Sequence, residues 1–254
     1  LSSSGIPITF ADGTKSSVQM QNLPREYKSL FRAPDNDHVI MEIDYSQLEF
    51  RVAAQLGDDQ QARLDIADPD FDAHCRTAAV MFDHNYDTFL HEVRDGNKSY
   101  THHRTLAKPD TFKPLYGGTK GTPAQEKYYK AFAERYAGIR AEQENWLAEV
   151  EANGGIVMPW GIEFKWDTHM NRRGVLLDSN TFKPVGPSVF NYPVQSLATG
   201  EIVPIGIILL AKACKRFKFR VQFINTVHDS VILLVHKDDV DKVWKWDCTG
   251  LPSI

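Results

Sequence analysis

The sequence contains little cysteine and no long hydrophobic run. Its three cysteines, Cys75, Cys214 and Cys248, are far apart in a chain of 254 residues, so they form neither a zinc-binding pattern nor an evident disulfide framework. The longest apolar run, residues 202–211, includes a proline and is too short to span a bilayer. Residues 1–4 lack the basic and apolar parts of a signal peptide. These absences predict an intracellular, cytoplasmic protein without a membrane partner.

A strong excess of one charge is also absent. Lys and Arg total 29 against 33 Asp and Glu, which gives a net charge of −4. With 42% hydrophobic and 24% charged residues, the composition excludes collagen-like, disordered and disulfide-scaffold classes. Basic side chains are nevertheless concentrated in residues 94–120 and 212–220. Such stretches are usually solvated surface, so they permit a polyanionic partner without indicating one.

The hydrophobic pattern predicts strands at both ends of the chain and helices between them. Gly and Pro interrupt the first forty residues, and Pro204 falls inside the last predicted helix. This order favours an α+β fold over regular β-α alternation. The predicted strands cover residues 39–43 and two segments within 221–235, the predicted helices cover residues 46–56, 73–82, 123–153 and 195–214, and a hairpin and loops cover residues 156–189.

Two aspartates stand where apolar segments stop. Asp44 ends the first predicted strand, and Asp229 lies at the turn between the last two. Each has an ordinary interpretation as a strand-end or turn acid. If they converge, they can hold two magnesium ions about 3.5–4 Å apart for phosphoryl transfer, but the sequence alone leaves that open. Ser46 and Glu49 also fit a helix capping box.

Basic and aromatic residues recur at steps of four in the middle of the chain. On a helix they share one broad stripe, with cations suited to a triphosphate and aromatic rings suited to a base and sugar. An amphipathic helix with a partly buried aromatic face is the alternative. Pro109 and Pro114 predict that this helix is kinked or begins near Pro109. The four residues are Arg104, Lys108, Phe112 and Tyr116.

Six segments, in order, resemble the family A DNA polymerases of the bacterial polymerase I type. Asp44–Arg51 resembles the first motif of that family, Arg104–Gly117 the second and Val227–Asp229 the third. The resemblance implies a right-hand fold, with an antiparallel-sheet palm and inserted helical fingers. The thumb and exonuclease domains of the family have no counterpart in this sequence, so we expect them to be absent from it. The other matching segments are Gln21–Pro24, Asp72–Ala79 and Phe190–Gln195.

The resemblance implies that both ends of the chain form the palm. Residues 1–57 and 187–254 are assigned to it, the second part being cut short after Val243, and residues 58–186 are assigned to the fingers. Because the chain starts at Leu1, one step past a DNA-contacting arginine of the family, we expect a fragment of a longer polymerase.

The implied activity is template-directed addition of deoxynucleotides to a primer 3′-hydroxyl, with release of pyrophosphate. The implied partners are primer-template DNA and deoxynucleoside triphosphates, and the implied cofactor is two Mg²⁺ ions, which Mn²⁺ can replace. By resemblance Asp44 and Asp229 are the catalytic metal ligands, joined by the backbone carbonyl of Tyr45. Lys108 contacts phosphate and donates a proton to the leaving pyrophosphate.

The resemblance assigns the remaining site residues to the nucleotide and to DNA. Glu49 excludes a 2′-hydroxyl, Phe112 rejects sugars that lack a 3′-hydroxyl, and Tyr116 guards the template base. Three further residues bind the nucleotide: Arg104, His74 and Gln47. Four residues are assigned to the template and the primer end: Arg51, Asn191, Gln195 and His228.

The third motif departs from the family pattern, in which it usually reads His-Asp-Glu. Ser230 stands in place of the acid, so we expect an altered metal affinity or preference. A single-subunit RNA polymerase of the phage type shares His-Asp-Ser, but Glu49 and Phe112 favour deoxynucleotides. An inactive fragment that binds primer-template is another alternative. The proline-rich second motif resembles that of phage polymerases and is compatible with a viral source, in which case the chain acts in the host cytoplasm.

Overall fold

A computed structural model describes residues 6–9, 12–13, 15–18, 31–227 and 229–250. The matching segment Gln21–Pro24 and the predicted site residue His228 lie outside the described residues. The chain divides into two compact units: the first contains both ends, up to residue 46 and from residue 201, and the second comprises residues 47–200. These limits differ from the palm and fingers limits at residues 57 and 186, which stay a prediction.

The structure is rich in helices and contains small antiparallel sheets. The strands are β1 (Ile6–Thr9), β2 (Lys15–Val18), β3 (His38–Asp44), β4 (Gly155–Val157), β5 (Glu163–Lys165), β6 (Thr168–Met170), β7 (Leu176–Asp178), β8 (Val221–Val227) and β9 (Ser230–His236). The helices are α1 (Leu48–Leu56), α2 (Gln60–Ala67), α3 (Ala73–Met81), α4 (Tyr86–Arg94), α5 (Lys98–Ala107), α6 (Pro123–Arg135), α7 (Ala137–Asn153), α8 (Gly186–Gln195), α9 (Val203–Phe217) and α10 (Val240–Gly250). Shorter pairs, β1–β2, β4–β5 and β6–β7, are hairpins.

A three-stranded antiparallel sheet forms the centre of the first unit. Its order is β3-β9-β8, and alternate residues of its strands face opposite sides. On one side Val231, Leu233 and Val235 pack with Leu210 of α9 and Val243 of α10. The predicted strands at 39–43 and within 221–235 are confirmed, and so is the combination of antiparallel sheet and helices.

One predicted helix is divided in the structure, and another is longer than predicted. The segment 123–153 is not one helix, because it breaks at Tyr136, whose φ of −109° and ψ of 60° are not helical. Buried Asp65 of α2 fixes this break, accepting hydrogen bonds from the Tyr136 hydroxyl at 2.7 Å and from Nε of Arg135 at 2.8 Å. Pro204 lies in the first turn of α9, and the predicted helix around it is confirmed, because the chain stays helical from Gly186 to Phe217. The preceding residues, Ser196–Ile202, are π-helical.

One helical stretch among the described residues could cross a membrane by length and composition alone. Gly186–Phe217 spans 32 residues and reaches a mean hydropathy of 1.7, so it is longer than the apolar run considered in the sequence. A core helix of a soluble protein passes the same test, so the stretch is weak support for a membrane segment.

Gly206 of α9 leaves room for the side chain of Tyr45, the residue that follows β3. A Cβ atom at position 206 would overlap with the Tyr45 hydroxyl. A Cβ at Gly200, by contrast, would meet no atom within 4 Å. The helix therefore accepts the Tyr45 ring only because position 206 has no side chain.

We predict that Gly206→Ala lowers the free energy of unfolding by about 1–3 kcal/mol because it forces Tyr45 or α9 to move, although alanine itself favours a helix. Urea unfolding followed by tryptophan fluorescence measures the change. Gly200→Ala is the control and should be neutral or stabilising. The loss should shrink in a Tyr45→Phe background, which lacks the overlapping hydroxyl; an undiminished loss there would contradict this explanation.

Candidate active site

The structure brings the backbones of Asp44 and Asp229 together at one end of the central sheet. Asp44 is the last residue of β3 and is paired in register with Ser230, the first residue of β9. The N–H of Tyr45 donates a hydrogen bond to the carbonyl of Asp229 at 3.3 Å. Two acids that are far apart in the sequence are therefore neighbours across a strand pair.

The donor atoms at this sheet end suit a hard divalent cation. Asp44 is exposed and Asp229 is half-buried, so both acids are at least partly accessible to solvent. Magnesium prefers oxygen donors and is commonly bound by one or two carboxylates, with water and substrate phosphates completing its shell. Among the residues that the structure describes, no three His, Cys, Asp or Glu side chains converge on one ion position. A site with two protein carboxylates is consistent with both facts.

The second-motif segment is broken into short pieces. Helix α5 ends at Ala107, and Lys108–Asp110 and Lys113–Tyr116 form separate 3₁₀ turns. Each turn has a proline near its start, where the absent N–H is tolerated. The predicted kink is confirmed. The predicted continuous stripe from residue 104 to residue 116 is wrong, because these residues do not share one α-helix.

Arg104 and His74 lie in one polar cluster of the second unit. Nε and Nη2 of Arg104 are 2.9 and 2.7 Å from Oδ2 of Asp72, the N-cap of α3. Burial raises the pKa of Asp72, but the hydrogen bonds from Arg104 and from the Cys75 N–H, together with the charge of Arg104, outweigh burial and hold that pKa below its usual value. Nδ1 of His74 is 2.9 Å from the Thr111 hydroxyl. Burial, and then the charges of Arg104 and Lys108, lower the pKa of His74, so its ring is neutral at pH 7.

The other second-motif residues differ in exposure. Lys108 is exposed, and Phe112 and Tyr116 are half-buried. The ring of Phe112 packs against Phe50 of α1, with 5.6 Å between centroids, and against His74 at 6.1 Å. Phe112 is therefore fixed by its neighbours, whereas the Lys108 side chain extends into solvent.

Sequence reasoning missed Asp110, which anchors this broken segment. Asp110 is 4% exposed, and its carboxylate accepts hydrogen bonds from Lys113 at 2.7 Å, Tyr129 at 2.8 Å and Gln125 at 3.0 Å. Burial raises the pKa of Asp110, but these bonds together hold it below its usual value. A charged residue between two prolines was the available signal, although its partners on α6 could not be inferred from it.

The first-motif residues of the second unit surround helix α1. Gln47 is its N-cap, in the left-handed conformation with φ of 53°, and makes no side-chain cap hydrogen bond. The helix therefore does not begin with the capping box that Ser46 and Glu49 could have formed. Glu49 is half-buried and Arg51 is exposed. A left-handed non-glycine residue is a feature that concentrates at functional sites.

Helix α8 carries Asn191 and Gln195. Gln195 is exposed and Asn191 is half-buried. The side-chain oxygen of Asn191 is buried without a hydrogen-bond partner, and such an orphan acceptor needs an explanation, for which a ligand group is one candidate.

The predicted site residues that the structure describes fall into two groups: Asp44, Tyr45 and Asp229 in the first unit, and Gln47, Glu49, Arg51, His74, Arg104, Lys108, Phe112, Tyr116, Asn191 and Gln195 in the second.

Comparison with known proteins gives relatives over most of the chain. "DNA polymerase I" of Lactococcus lactis subsp. lactis (strain IL1403) is 27% identical over 253 residues, covering 91% of this chain and 26% of that protein. "DNA polymerase I" of Bacillus caldotenax is 25% identical over 250 residues, covering 92% of this chain and 26% of that protein. The chain therefore spans about a quarter of the length of these relatives.

A solved structure supports the fold. The POL domain of Pol1 from M. smegmatis, in complex with a DNA primer-template and dNTP, aligns with a TM-score of 0.65 and 18% identity over 94% of this chain and 42% of that one. The model of the family described as DNA polymerase family A matches residues 14–246. Since that match covers nearly the whole sequence, the chain belongs to DNA polymerase family A.

Proposed function

We propose that this chain catalyses template-directed addition of deoxynucleotides to a primer 3′-hydroxyl, with release of pyrophosphate. The observation that carries the proposal is the meeting of Asp44 and Asp229 at one sheet end in a member of family A. The complex of the related POL domain with primer-template DNA and dNTP supports the same partners here. We assign the palm to residues 1–57 and 187–254 and the fingers to residues 58–186, and we assign the protein to the cytoplasm.

The first unit would hold the cofactor. Two magnesium ions, or manganese in their place, would activate the primer hydroxyl and stabilise the charge that develops on the phosphate. Asp44 and Asp229 would bind them through their carboxylates and Tyr45 through its backbone carbonyl. The hydrogen bond from Tyr45 to the Asp229 carbonyl joins the two strand ends, so it limits how far the carboxylates can separate.

Lys108, Arg104 and His74, which we call the second-motif cluster, would bind the triphosphate. Lys108 is exposed, so its ammonium group can contact phosphate and give a proton to the leaving pyrophosphate. Arg104 is held by Asp72, which fixes the orientation of its remaining N–H donors. His74 is neutral, and with Nδ1 at Thr111 its other ring nitrogen remains for a hydrogen bond.

The remaining residues would select the sugar and hold DNA. Glu49 would exclude a 2′-hydroxyl, and Phe112, fixed by Phe50, would reject sugars without a 3′-hydroxyl. The template base would meet Tyr116. We assign Gln47 to the nucleotide and four residues to the template and primer end: Arg51, Asn191, Gln195 and His228.

The aspartates provide the direct test. Asp44→Asn and Asp229→Asn keep the side-chain size but remove a charge, and each should slow magnesium-dependent primer extension about 100-fold or more, the equivalent of losing several kcal/mol of charge stabilisation. Asp241→Asn, an exposed acid of α10, is the control. Extension at the normal rate by both active-site variants would overturn the proposal, and so would a wild-type chain that binds primer-template but never extends it.

Lys108 can be tested separately from binding. Lys108→Ala should lower the single-turnover rate about 100-fold, which is the usual contribution of a positioned proton donor. Rapid-quench measurements at saturating nucleotide give this rate. Lys98→Ala changes an exposed lysine at the start of α5 and should leave the rate unchanged. A near-normal rate for Lys108→Ala would remove this residue from the chemical step.

Glu49 can be tested by sugar selectivity. Glu49→Ala should reduce the preference for deoxynucleotides over ribonucleotides by roughly 10–100-fold in kcat/KM, since one side-chain contact discriminates by about that much. Base selectivity should change far less. Glu151→Ala, on the exposed surface of α7, is the matched control. A wild-type preference for ribonucleotides would instead support an RNA polymerase.

A further inference from the structure

Glu42 is an acidic residue close to the proposed metal site. Neither the motifs nor the proposed mechanism assigns it a role. It lies two residues before Asp44 in β3, and both side chains are exposed. The intervening residues of the strand, Met41 and Ile43, pack against the hydrophobic core. Because side chains alternate along a strand, Glu42 and Asp44 project from the same face of the sheet.

Ser230 links Glu42 to the sheet end where the two aspartates meet. In the register of the sheet Ser230 is opposite Asp44, whereas Glu42 is opposite Ile232. The Ser230 side chain is 4% exposed, and its hydroxyl is 3.3 Å from Oε1 of Glu42 and 3.0 Å from the Val227 carbonyl. The Glu42 carboxylate thus reaches past its own register partner toward the end of the strand.

This position coincides with the departure in the third motif. Ser230 occupies the place where the resemblance leads us to expect an acid, and its hydroxyl contacts a carboxylate that comes from the neighbouring strand. Negative charge is therefore still present next to Ser230, although it is supplied by β3. Two like charges two residues apart on one strand face repel each other, and a divalent cation nearby would offset this repulsion.

We propose, on the basis of the proposed function, that Glu42 is the third carboxylate of the magnesium site and that Ser230 orients it. In this proposal Glu42 acts from the outer shell by accepting a hydrogen bond from a metal-bound water, which agrees with the absence of three converging His, Cys, Asp or Glu side chains among the described residues. It is a positioning residue: it strengthens ion binding through that water and through its charge.

Binding of Mn²⁺ to the 254-residue chain, followed by electron paramagnetic resonance without DNA or nucleotide, tests this role apart from activity. Glu42→Gln should weaken Mn²⁺ binding about 10-fold, the lower range for loss of an outer-shell partner. Asp241→Asn removes an equally exposed acid and should change nothing. Circular dichroism and urea unfolding confirm that the variants are folded.

Transferring the carboxylate from β3 to β9 distinguishes a role of Glu42 in metal binding from a purely structural role. Glu42→Gln combined with Ser230→Glu should recover most of the lost affinity, which mere repair of packing would not do. Should that double variant fail to fold, Glu42→Asp decides: an affinity between those of wild type and Glu42→Gln supports the proposal, and one no better than that of Glu42→Gln overturns it.

Asp44→Asn distinguishes failure of this inference from failure of the proposed function. If Asp44→Asn loses Mn²⁺ binding while Glu42→Gln binds as tightly as wild type, Glu42 has no role and the two-aspartate site stands. If both variants bind Mn²⁺ as wild type does, the proposed metal site itself is wrong.

Discussion

The antiparallel pairing of β3 with β9 is the constraint on which the candidate site depends. It joins the two ends of the chain and sets Asp44 opposite Ser230. A slip of one residue would turn every side chain of β3 to the other face, placing Glu42 and Asp44 against the core and exposing Met41 and Ile43. The hydrophobic core that holds Leu233 and its neighbours therefore also specifies where the carboxylates lie, so that packing energy and active-site geometry are set by one register.

In the second unit, three hydrogen-bonded acids, of which Asp65 and Asp110 are buried and Asp72 is half-buried, constrain the structure in a comparable way. Asp65 fixes the break between α6 and α7, Asp110 fixes the broken second-motif segment to α6, and Asp72 caps α3 while holding Arg104. A buried carboxylate is costly unless it is paired and hydrogen-bonded, so each of these acids permits few alternative arrangements. The phosphate-binding candidates consequently stand on segments whose irregular course is fixed by specific polar contacts and not by helix propensity.

The elements with regular periodicity could be predicted from the sequence, and the irregular ones could not. A short run of apolar residues predicted β3, and the apolar segments around residue 229 predicted β8 and β9, because burial in the core decides those patterns. The break at Tyr136 was missed because its cause, Asp65, is contributed by another helix. In the second motif the two prolines correctly predicted a break in the helix, because proline is a local signal that can be read from the sequence. The role that we propose for Glu42 could not be predicted from the sequence, because it rests on the contact with Ser230 of the neighbouring strand.

The net charge of −4 does not show that acidic and basic candidate site residues lie on different elements of the chain. Carboxylates that suit cations are grouped at the end of the β3–β9 pair, whereas Arg104 and Lys108, which suit phosphate, belong to the second-motif cluster, where burial and then their charges lower the pKa of His74. A polymerase has to bind both a divalent cation and a polyanion, and each needs a local potential of its own sign. The distribution of charge among the elements is therefore more informative about binding than the total charge.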